Sequence, residues 1–133
     1  MLQRIIYIST CRTDPDRGMV EDILRVSRRN NRRDGLSGLL VVGGRRFLQV
    51  IEGPVTLTNA AFLRIKADSR HFAFVELSRK PITDRAFAGW EMGCEQLDGD
   101  DLTDLVDELT NGLGDADLQA QFRSFATLHR KAA

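Results

Sequence analysis

The chain has 133 residues, of which 42% are hydrophobic and 29% charged, and this composition is typical of one soluble globular domain with an apolar core. Its 19 lysines and arginines balance 19 aspartates and glutamates, so a zero net charge disfavours nucleic acid and anionic membranes as partners. Two distant cysteines and two histidines are too few for a disulfide framework or a zinc site, and no stretch approaches the roughly 20 apolar residues of a membrane helix. We therefore expect a cytoplasmic protein without a bound metal and without a second, catalytic domain.

The first part of the chain predicts a strand, a helix and a hairpin. Residues 3–10 are a β-branched run typical of a strand. A helix follows the next loop, because apolar residues recur there at helical spacing and arginines crowd the end. Two apolar runs, 36–42 and 46–51, flank Gly43-Gly44, where both glycines accept positive φ. The pattern therefore predicts strands two and three joined as a hairpin.

A second helix and two more strands follow. Thr56 or Thr58 can cap the helix, whose apolar face predicts an end near Arg70. Residues 72–77 are rich in β-formers, and residues 85–92 form a weaker run of the same kind. These two runs complete the order βαββαββ.

This order of elements predicts an α+β, ferredoxin-like fold with both helices on one face of a mixed sheet. Apolar residues at helical spacing within 102–109 and 118–125 predict two more amphipathic helices. These helices would cover the other face of the sheet, and a dimer interface is an equally open interpretation. We expect the helical extension to belong to the same structural unit as the sheet.

Gln49 is the most informative residue, because it lies in the middle of an otherwise apolar strand. A buried amide needs partners for its two donor hydrogens and its acceptor oxygen. Tyr7, the single tyrosine, lies in another apolar strand and would also seek a hydrogen bond. The two side chains can therefore meet, either as a polar pair satisfied within the core or as part of a site. Strand periodicity places Phe47, Gln49 and Ile51 on one face.

Several motifs follow one another along the chain in a distinctive order and spacing. They are Tyr7-Ile8-Ser9, Asn30-Asn31, Gly35-Leu36-Ser37-Gly38-Leu39-Leu40, Phe47-Leu48-Gln49-Val50-Ile51-Glu52-Gly53, Arg64-Ile65, Asp68-Ser69-Arg70-His71 and Arg85-Ala86-Phe87-Ala88-Gly89-Trp90-Glu91-Met92-Gly93. Their order and spacing resemble those of the BLUF family of blue-light sensors over the first 93 residues. The serine at position 37 stands where many members carry threonine. The resemblance divides the chain into a flavin-binding core, 1–93, and a C-terminal helical extension, 94–133, used for output or oligomerisation.

The resemblance implies a non-covalently bound flavin, FAD with FMN as the alternative, whose ring lies between the two helices over the sheet. A flat apolar ring with one polar edge suits a hydrophobic cleft with a few convergent amides. A helix cap, a surface ion pair or plain core packing would explain several of these positions without a cofactor. The residues that the resemblance places at the cofactor are Tyr7, Ile23, Leu24, Asn30, Asn31, Phe47, Gln49, Arg64, Ile65, Asp68, Arg70, His71 and Met92.

The resemblance also implies a photoreceptor rather than an enzyme. Light would move an electron and a proton from Tyr7 through Gln49 and leave a dark-reversible, red-shifted state with altered hydrogen bonds. Trp90 and Met92, two apart on the predicted last strand, would relay the change to the helical extension, with Met92 in contact with Gln49. Because no effector is attached, we expect a separate protein partner or a homo-oligomer that changes its assembly.

Two other classes of protein remain open from the residues alone. A small flavin reductase would also use a polar flavin edge, although Gly43-Gly44 lacks the spacing of a dinucleotide fingerprint. A cofactor-free interaction module would explain the fold but not Gln49. The arginines at 28, 29, 32 and 33 could bind phosphate, although cations near a helix C-terminus are favourable without any ligand.

Overall fold

The element order βαββαββ, predicted from the sequence, is confirmed. The computed structural model describes residues 1–97 and Ala120, so the predicted tail helices lie outside the described residues apart from Ala120. The elements are β1 (Leu2–Cys11), α1 (Arg17–Asp34), β2 (Ser37–Gly43), β3 (Arg46–Pro54), α2 (Val55–Lys66), β4 (His71–Ile82) and β5 (Gly93–Leu97).

The five strands form one mixed sheet in the order β4-β1-β3-β2-β5. Neighbouring strands are antiparallel except β2 and β5, which run parallel from Leu39↔Gly93 to Gly43↔Leu97. The central strands β1 and β3 pair along their length, and Tyr7 lies directly opposite Gln49. This is the predicted ferredoxin-like α+β fold, and its register brings the two polar residues together.

Alternation along the strands divides the apolar residues between two faces of the sheet. On one face, which we call the helix face, α1 packs against Leu40, Val42 and Phe47, and α2 packs against Ile5 and Ile51. The opposite face, which we call the back face, carries a separate buried cluster of Ile6, Leu39, Val41, Leu48, Val50 and Phe87. Both helices therefore lie on the same face as Tyr7 and Gln49, as predicted.

Helix α1 has a defined cap at each end. The Asp16 side chain accepts the N–H of Met19 at 2.8 Å, and Gly35 ends the helix at a left-handed φ of 67° that a glycine adopts without strain. Arg32 and Arg33 lie in the last turn, where positive charge is favourable.

Neither α1 nor α2 is long and apolar enough to cross a membrane.

The predicted cap of α2 is wrong. The N-cap residue is Pro54, and no side chain caps the helix. Thr58 is buried instead, and its hydroxyl donates within the helix to the carbonyls of Pro54 and Val55 while it accepts from Gln3 at 2.9 Å. The helix also ends at Lys66, four residues before the predicted end at Arg70.

The hairpin between β2 and β3 is confirmed, with one difference in its turn. Gly44 and Arg45 form the turn, and Gly44 alone of the two predicted glycines has a positive φ, 58°. Gly43 is the last residue of β2 and remains extended.

The prediction of a strand at residues 85–92 is wrong, because the segment is a turn. The N–H of Trp90 donates to the carbonyl of Phe87 at 3.0 Å, which closes a tight bend. Gly89 within this bend has a left-handed φ of 84°. An extended strand cannot accommodate either feature, and we call residues 85–92 the strap.

The fifth strand begins directly after the strap, at Gly93. Trp90 and Met92 therefore precede β5, and the prediction that they share a face of the last strand is wrong. The sheet continues to Leu97. Strand β5 therefore crosses the predicted boundary between the core, 1–93, and the extension, 94–133.

Candidate functional site

A cleft opens between α1 and α2 over the helix face of the sheet. Its empty volume, including the part open to solvent, is about 770 Å³. Its walls combine aliphatic and aromatic side chains with a few amide and charged groups, the mixture expected for a flat organic cofactor. The lining residues are Ile23, Val26, Ser27, Asn30, Asn31, Leu40, Phe47, Gln49, Ile51, Arg64, Ile65, Asp68, Arg70, His71 and Met92.

All but two of the residues predicted to contact the cofactor line this cleft. Tyr7 lies beneath the floor, and Leu24 is buried in the apolar cluster under α1. Leu24 lies about 100° around the helix from Ile23 and lines a groove on another side of α1, so its contact with a cofactor stays a prediction that the cleft lining does not support.

One side of the cleft is a single face of α1. Ile23, Val26, Ser27, Asn30 and Asn31 follow the spacing i, i+3, i+4, i+7 and i+8 that places side chains on one side of a helix. The sequence prediction omitted Val26 and Ser27, although this spacing from Ile23 would have identified both. Leu40 and Ile51 were also omitted: Leu40 lies opposite Gln49 on β2, and Ile51 lies two residues after Gln49 on β3.

Tyr7 and Gln49 form the polar centre of the cleft floor. Tyr7 is 0% exposed, and its hydroxyl donates to the Oε1 atom of Gln49, which is 6% exposed and lines the cleft. Burial raises the pKa of the Tyr7 phenol well above its usual value of 10.0, so the phenol keeps its proton. The Tyr7 ring packs against Phe62 at a centroid distance of 4.9 Å and against Phe74 at 5.8 Å.

The amide end of Gln49 faces Met92. Its Nε2 atom donates weakly to the Met92 sulfur at 3.8 Å. An amide nitrogen carries two hydrogens and a thioether is a weak acceptor, so Gln49 keeps donor capacity for a group in the cleft. Trp90, by contrast, is 42% exposed and packs against Phe87 at a ring distance of 5.7 Å.

Asn31 holds the strap against α1. Its side-chain nitrogen donates to the carbonyl of Glu91, and the residue is buried. Arg28 donates to the carbonyl of Met92 at 3.0 Å, and Arg32 forms a bidentate ion pair with the Glu91 carboxylate. The strap residue that contacts Gln49 is thus tied to the helix that lines the cleft.

An ion-pair network lies at the end of the cleft near β4. Arg70 binds the Asp68 carboxylate with two of its nitrogens and reaches Asp22 on α1 with the third, at 3.0 Å. The hydrogen bond from Arg70 is the largest cause that lowers the pKa of Asp68, so this carboxylate remains ionised. Arg64 lies 3.8 Å from Asp34.

Burial favours the neutral form of His71. Its Nε2 atom lies 2.9 Å from the carbonyl oxygen of Ile65 and donates to it, and in the neutral ring its Nδ1 atom accepts from the Ser9 hydroxyl at 2.9 Å. Burial is the largest cause that lowers the pKa of His71 below 6.5. A neutral imidazole at this edge suits an apolar ring in the cleft.

The arginines of α1 lie on another side of the helix from the cleft. Arg25, Arg28, Arg29 and Arg32 line a shallow groove with Glu21 and Leu24. Arg33 pairs with the neighbouring Asp34. Since the cleft is lined by a different face of α1, these cations do not point toward a cofactor phosphate there.

The cleft fits the flavin that the sequence implies. Aliphatic and aromatic walls suit the flat ring, and the amides of Asn30, Asn31 and Gln49 supply the few polar groups that its carbonyl edge requires.

Comparison with known proteins agrees with this geometry. A family model described as BLUF, sensors of blue-light using FAD, matches residues 2–93. Photoactivated adenylate cyclase subunit alpha of Euglena gracilis is 33% identical over 100 residues, which cover 73% of this chain and 10% of that protein. The blue light- and temperature-regulated antirepressor BluF of Escherichia coli (strain K12) is 32% identical over 77 residues, which cover 58% of this chain and 19% of that protein. The chain therefore spans only a small part of the length of these relatives.

Two solved structures share the fold. BlrB, a BLUF protein in its dark state, superposes with a TM-score of 0.75 at 32% identity, and the match covers 96% of each chain. Klebsiella pneumoniae BlrP1 with FMN and cyclic diGMP superposes with a TM-score of 0.81 at 26% identity, covering 96% of this chain and 35% of that one.

Proposed function

The chain belongs to the BLUF family, the sensors of blue light that use FAD, and on that basis we propose that Tyr7 and Gln49 convert absorbed light into a rearranged hydrogen-bond network. One observation carries this proposal. Gln49 faces the cleft while its carbonyl oxygen accepts the hydrogen of a fully buried phenol, so one side chain bridges the cofactor site and Tyr7.

Tyr7 is suited to hold its proton in the dark and to release it along one route. Burial raises the pKa of the phenol, so the dark state is the neutral phenol. The acceptor in contact with its hydroxyl is Gln49 Oε1, and a proton that leaves Tyr7 moves to that atom. FAD bound in the cleft would supply the absorption of blue light and a temporary acceptor for the electron of the phenol. The electron and the proton then return to Tyr7, so that only the arrangement of hydrogen bonds differs from the dark state.

Gln49 stores the result because its amide has a donor end and an acceptor end. Rotation or tautomerisation exchanges what Tyr7 and the cofactor edge each receive, and a side chain with one kind of polar end could not make that exchange. Stronger donation by Gln49 toward the carbonyl edge of a bound flavin would shift its absorption to the red, without a covalent bond to a cysteine. Burial of Gln49 and Tyr7 keeps competing water away from the altered bonds.

The remaining cleft residues hold and orient the cofactor. We assign Asn30 and Asn31 to its polar edge, and the apolar groups Ile23, Phe47 and Ile65 to the faces of the ring. Asp68, Arg70 and His71 lie at or just before the start of β4, where the rest of the flavin would extend, and Arg64 lies beside Asp34 at the C-terminal end of α1.

The output passes to another protein surface. Met92 contacts Gln49 and lies directly before β5, so we propose that the strap and β5 carry the change toward the residues after Leu97. The relatives named above include a photoactivated cyclase and an antirepressor, each much longer than this chain. We propose that the receiver is a separate partner or a light-dependent homo-oligomer. We also propose a cytoplasmic location, because the two distant cysteines of the chain give no sign of the disulfide framework common in secreted proteins.

Replacing Tyr7 with phenylalanine tests this function. Tyr7→Phe removes the hydroxyl that Gln49 accepts but keeps the ring that packs against Phe62, so we expect flavin to remain bound and the red shift to disappear. The measurement is the absorption spectrum of the purified variant before and after blue light. Cys11→Ala is the control, because Cys11 does not line the cleft and should leave the red shift unchanged. A Tyr7→Phe variant with a full red shift would contradict the proposed role.

A further inference from the structure

Glu52 is a buried carboxylate on the opposite face of the sheet from the cleft. It lies on β3 three residues after Gln49, on the back face, and is 0% exposed. Its Oε1 atom accepts the N–H of Phe87 at 2.8 Å, and its Oε2 atom accepts the N–H of Ala86 at 2.9 Å. Arg4 lies 3.4 Å from the same Oε2 atom. A buried charge of this kind is retained only when it is well bonded, and here the main chain of the strap supplies two of the bonds.

The strap connects Glu52 with the cleft. Phe87 packs into the back-face cluster, whereas Met92 packs into the cluster under α1 on the helix face. Between them the N–H of Gly38 donates to the carbonyl of Trp90 at 3.0 Å. The strap therefore begins in contact with Glu52 on the back face and ends in contact with Gln49 on the helix face. Hydrogen bonds to its main chain hold it between these two points.

We propose that Glu52 is a positioning residue for the contact between Met92 and Gln49. By fixing Ala86 and Phe87 it sets where the strap begins, and so it sets where the Met92 sulfur lies relative to the Gln49 amide. The inference rests on the proposed function of Gln49. It implies that a change at Gln49 is transmitted through the strap to the back face.

A carboxylate is the group that this position requires. Two successive N–H groups of the strap point at it, and two acceptor oxygens meet them. In Glu52→Gln one acceptor becomes an NH₂ group that faces an N–H donor, so one of the two strap bonds is lost while the side-chain shape is kept. The substitution also removes the negative charge that pairs with buried Arg4. The substitution thus weakens the start of the strap without touching the cleft lining.

The test is the rate of dark recovery in a set of four proteins: the wild type, Glu52→Gln, Met92→Leu and the double variant, each loaded with FAD. We expect Glu52→Gln to change the recovery rate by about two- to tenfold, the effect of one buried hydrogen bond, in the same direction as Met92→Leu. In the Met92→Leu background we expect Glu52→Gln to change nothing further, because the contact through which it acts is gone. An equal fold-change in both backgrounds, or no change in either, overturns the proposal.

The wild-type chain provides a second measurement that does not depend on the folding of a variant. Hydrogen exchange at the amides of Ala86 and Phe87 should be faster under continuous blue light than in the dark, while the amide of Met19, capped by Asp16, stays unchanged. Unchanged exchange at Ala86 and Phe87 overturns the proposal. If the wild type shows no red shift at all, the proposed function fails; if it shifts normally and the variants act independently, only the role of Glu52 fails.

Discussion

Gln49→Leu is expected to abolish the light-induced red shift while the flavin remains bound. Leucine fills a similar volume in the cleft floor but offers neither an acceptor to Tyr7 nor a donor to the cofactor edge. The apolar walls of the cleft remain, so cofactor binding should weaken only modestly. The measurement is the difference between illuminated and dark absorption spectra of the purified variant.

Gln3→Leu is the matched control for this prediction. Gln3 is also a buried glutamine on a central strand, but its amide donates to Thr58 and Asn59 on α2 rather than into the cleft. We expect this variant to lose some stability and to keep the red shift. A Gln49→Leu protein that shifts like the wild type, or equal loss of the shift in both variants, would contradict the proposed role of Gln49.

Gly38→Ala is expected to destabilise the fold strongly. A Cβ atom at this position would overlap the carbonyl oxygen of Val50, and this neighbour is main chain of the paired strand β3. The strands β2 and β3 would have to move apart next to Gln49, at a cost of about 3 kcal/mol in the free energy of unfolding. Denaturant unfolding of the purified variant measures this cost, and its flavin occupancy should fall as well.

Gly18→Ala provides the comparison. The nearest atom to its added Cβ would be the Asp16 carboxylate at 3.4 Å, an ordinary contact in the first turn of α1. Alanine is the better helix former, so we expect a change within about 1 kcal/mol, in the stabilising direction. Similar unfolding free energies for the two variants would show that the close approach at Gly38 does not constrain the sheet.

The element order could be predicted from sequence because local patterns determine it. The alternation around Gln49 and the helical spacing after residue 18 are visible in short windows, and both report which face of an element is buried. The pairing of Tyr7 with Gln49 was also accessible, because two buried polar side chains in apolar strands need partners.

The strap could not be predicted in this way. Trp90 and Met92 are spaced like residues of a strand, but the segment forms a turn in which Glu52, about 35 residues earlier, binds two successive amides. A contact over that separation leaves no local signal in the sequence. The link between Asp22 and Arg70, 48 residues apart, was inaccessible for the same reason.

The cleft residues also divide into those that local spacing predicts and those that only tertiary contacts determine. Val26 and Ser27 follow from the helical spacing of Ile23 and could have been included. The lowered pKa of His71 depends on burial, and its tautomer depends on contacts with Ser9 and Ile65, and tertiary structure alone brings these groups together. Met92, on the other hand, meets Gln49 although the strand on which the prediction placed it does not exist.

The most direct test of the account is the absorption spectrum of the purified, FAD-loaded protein before and after blue light, with no reductant added. The account predicts a yellow protein whose main flavin band moves to longer wavelength on illumination and returns in the dark. An unchanged spectrum, or bleaching of the flavin band as in a reduced flavoenzyme, would contradict it.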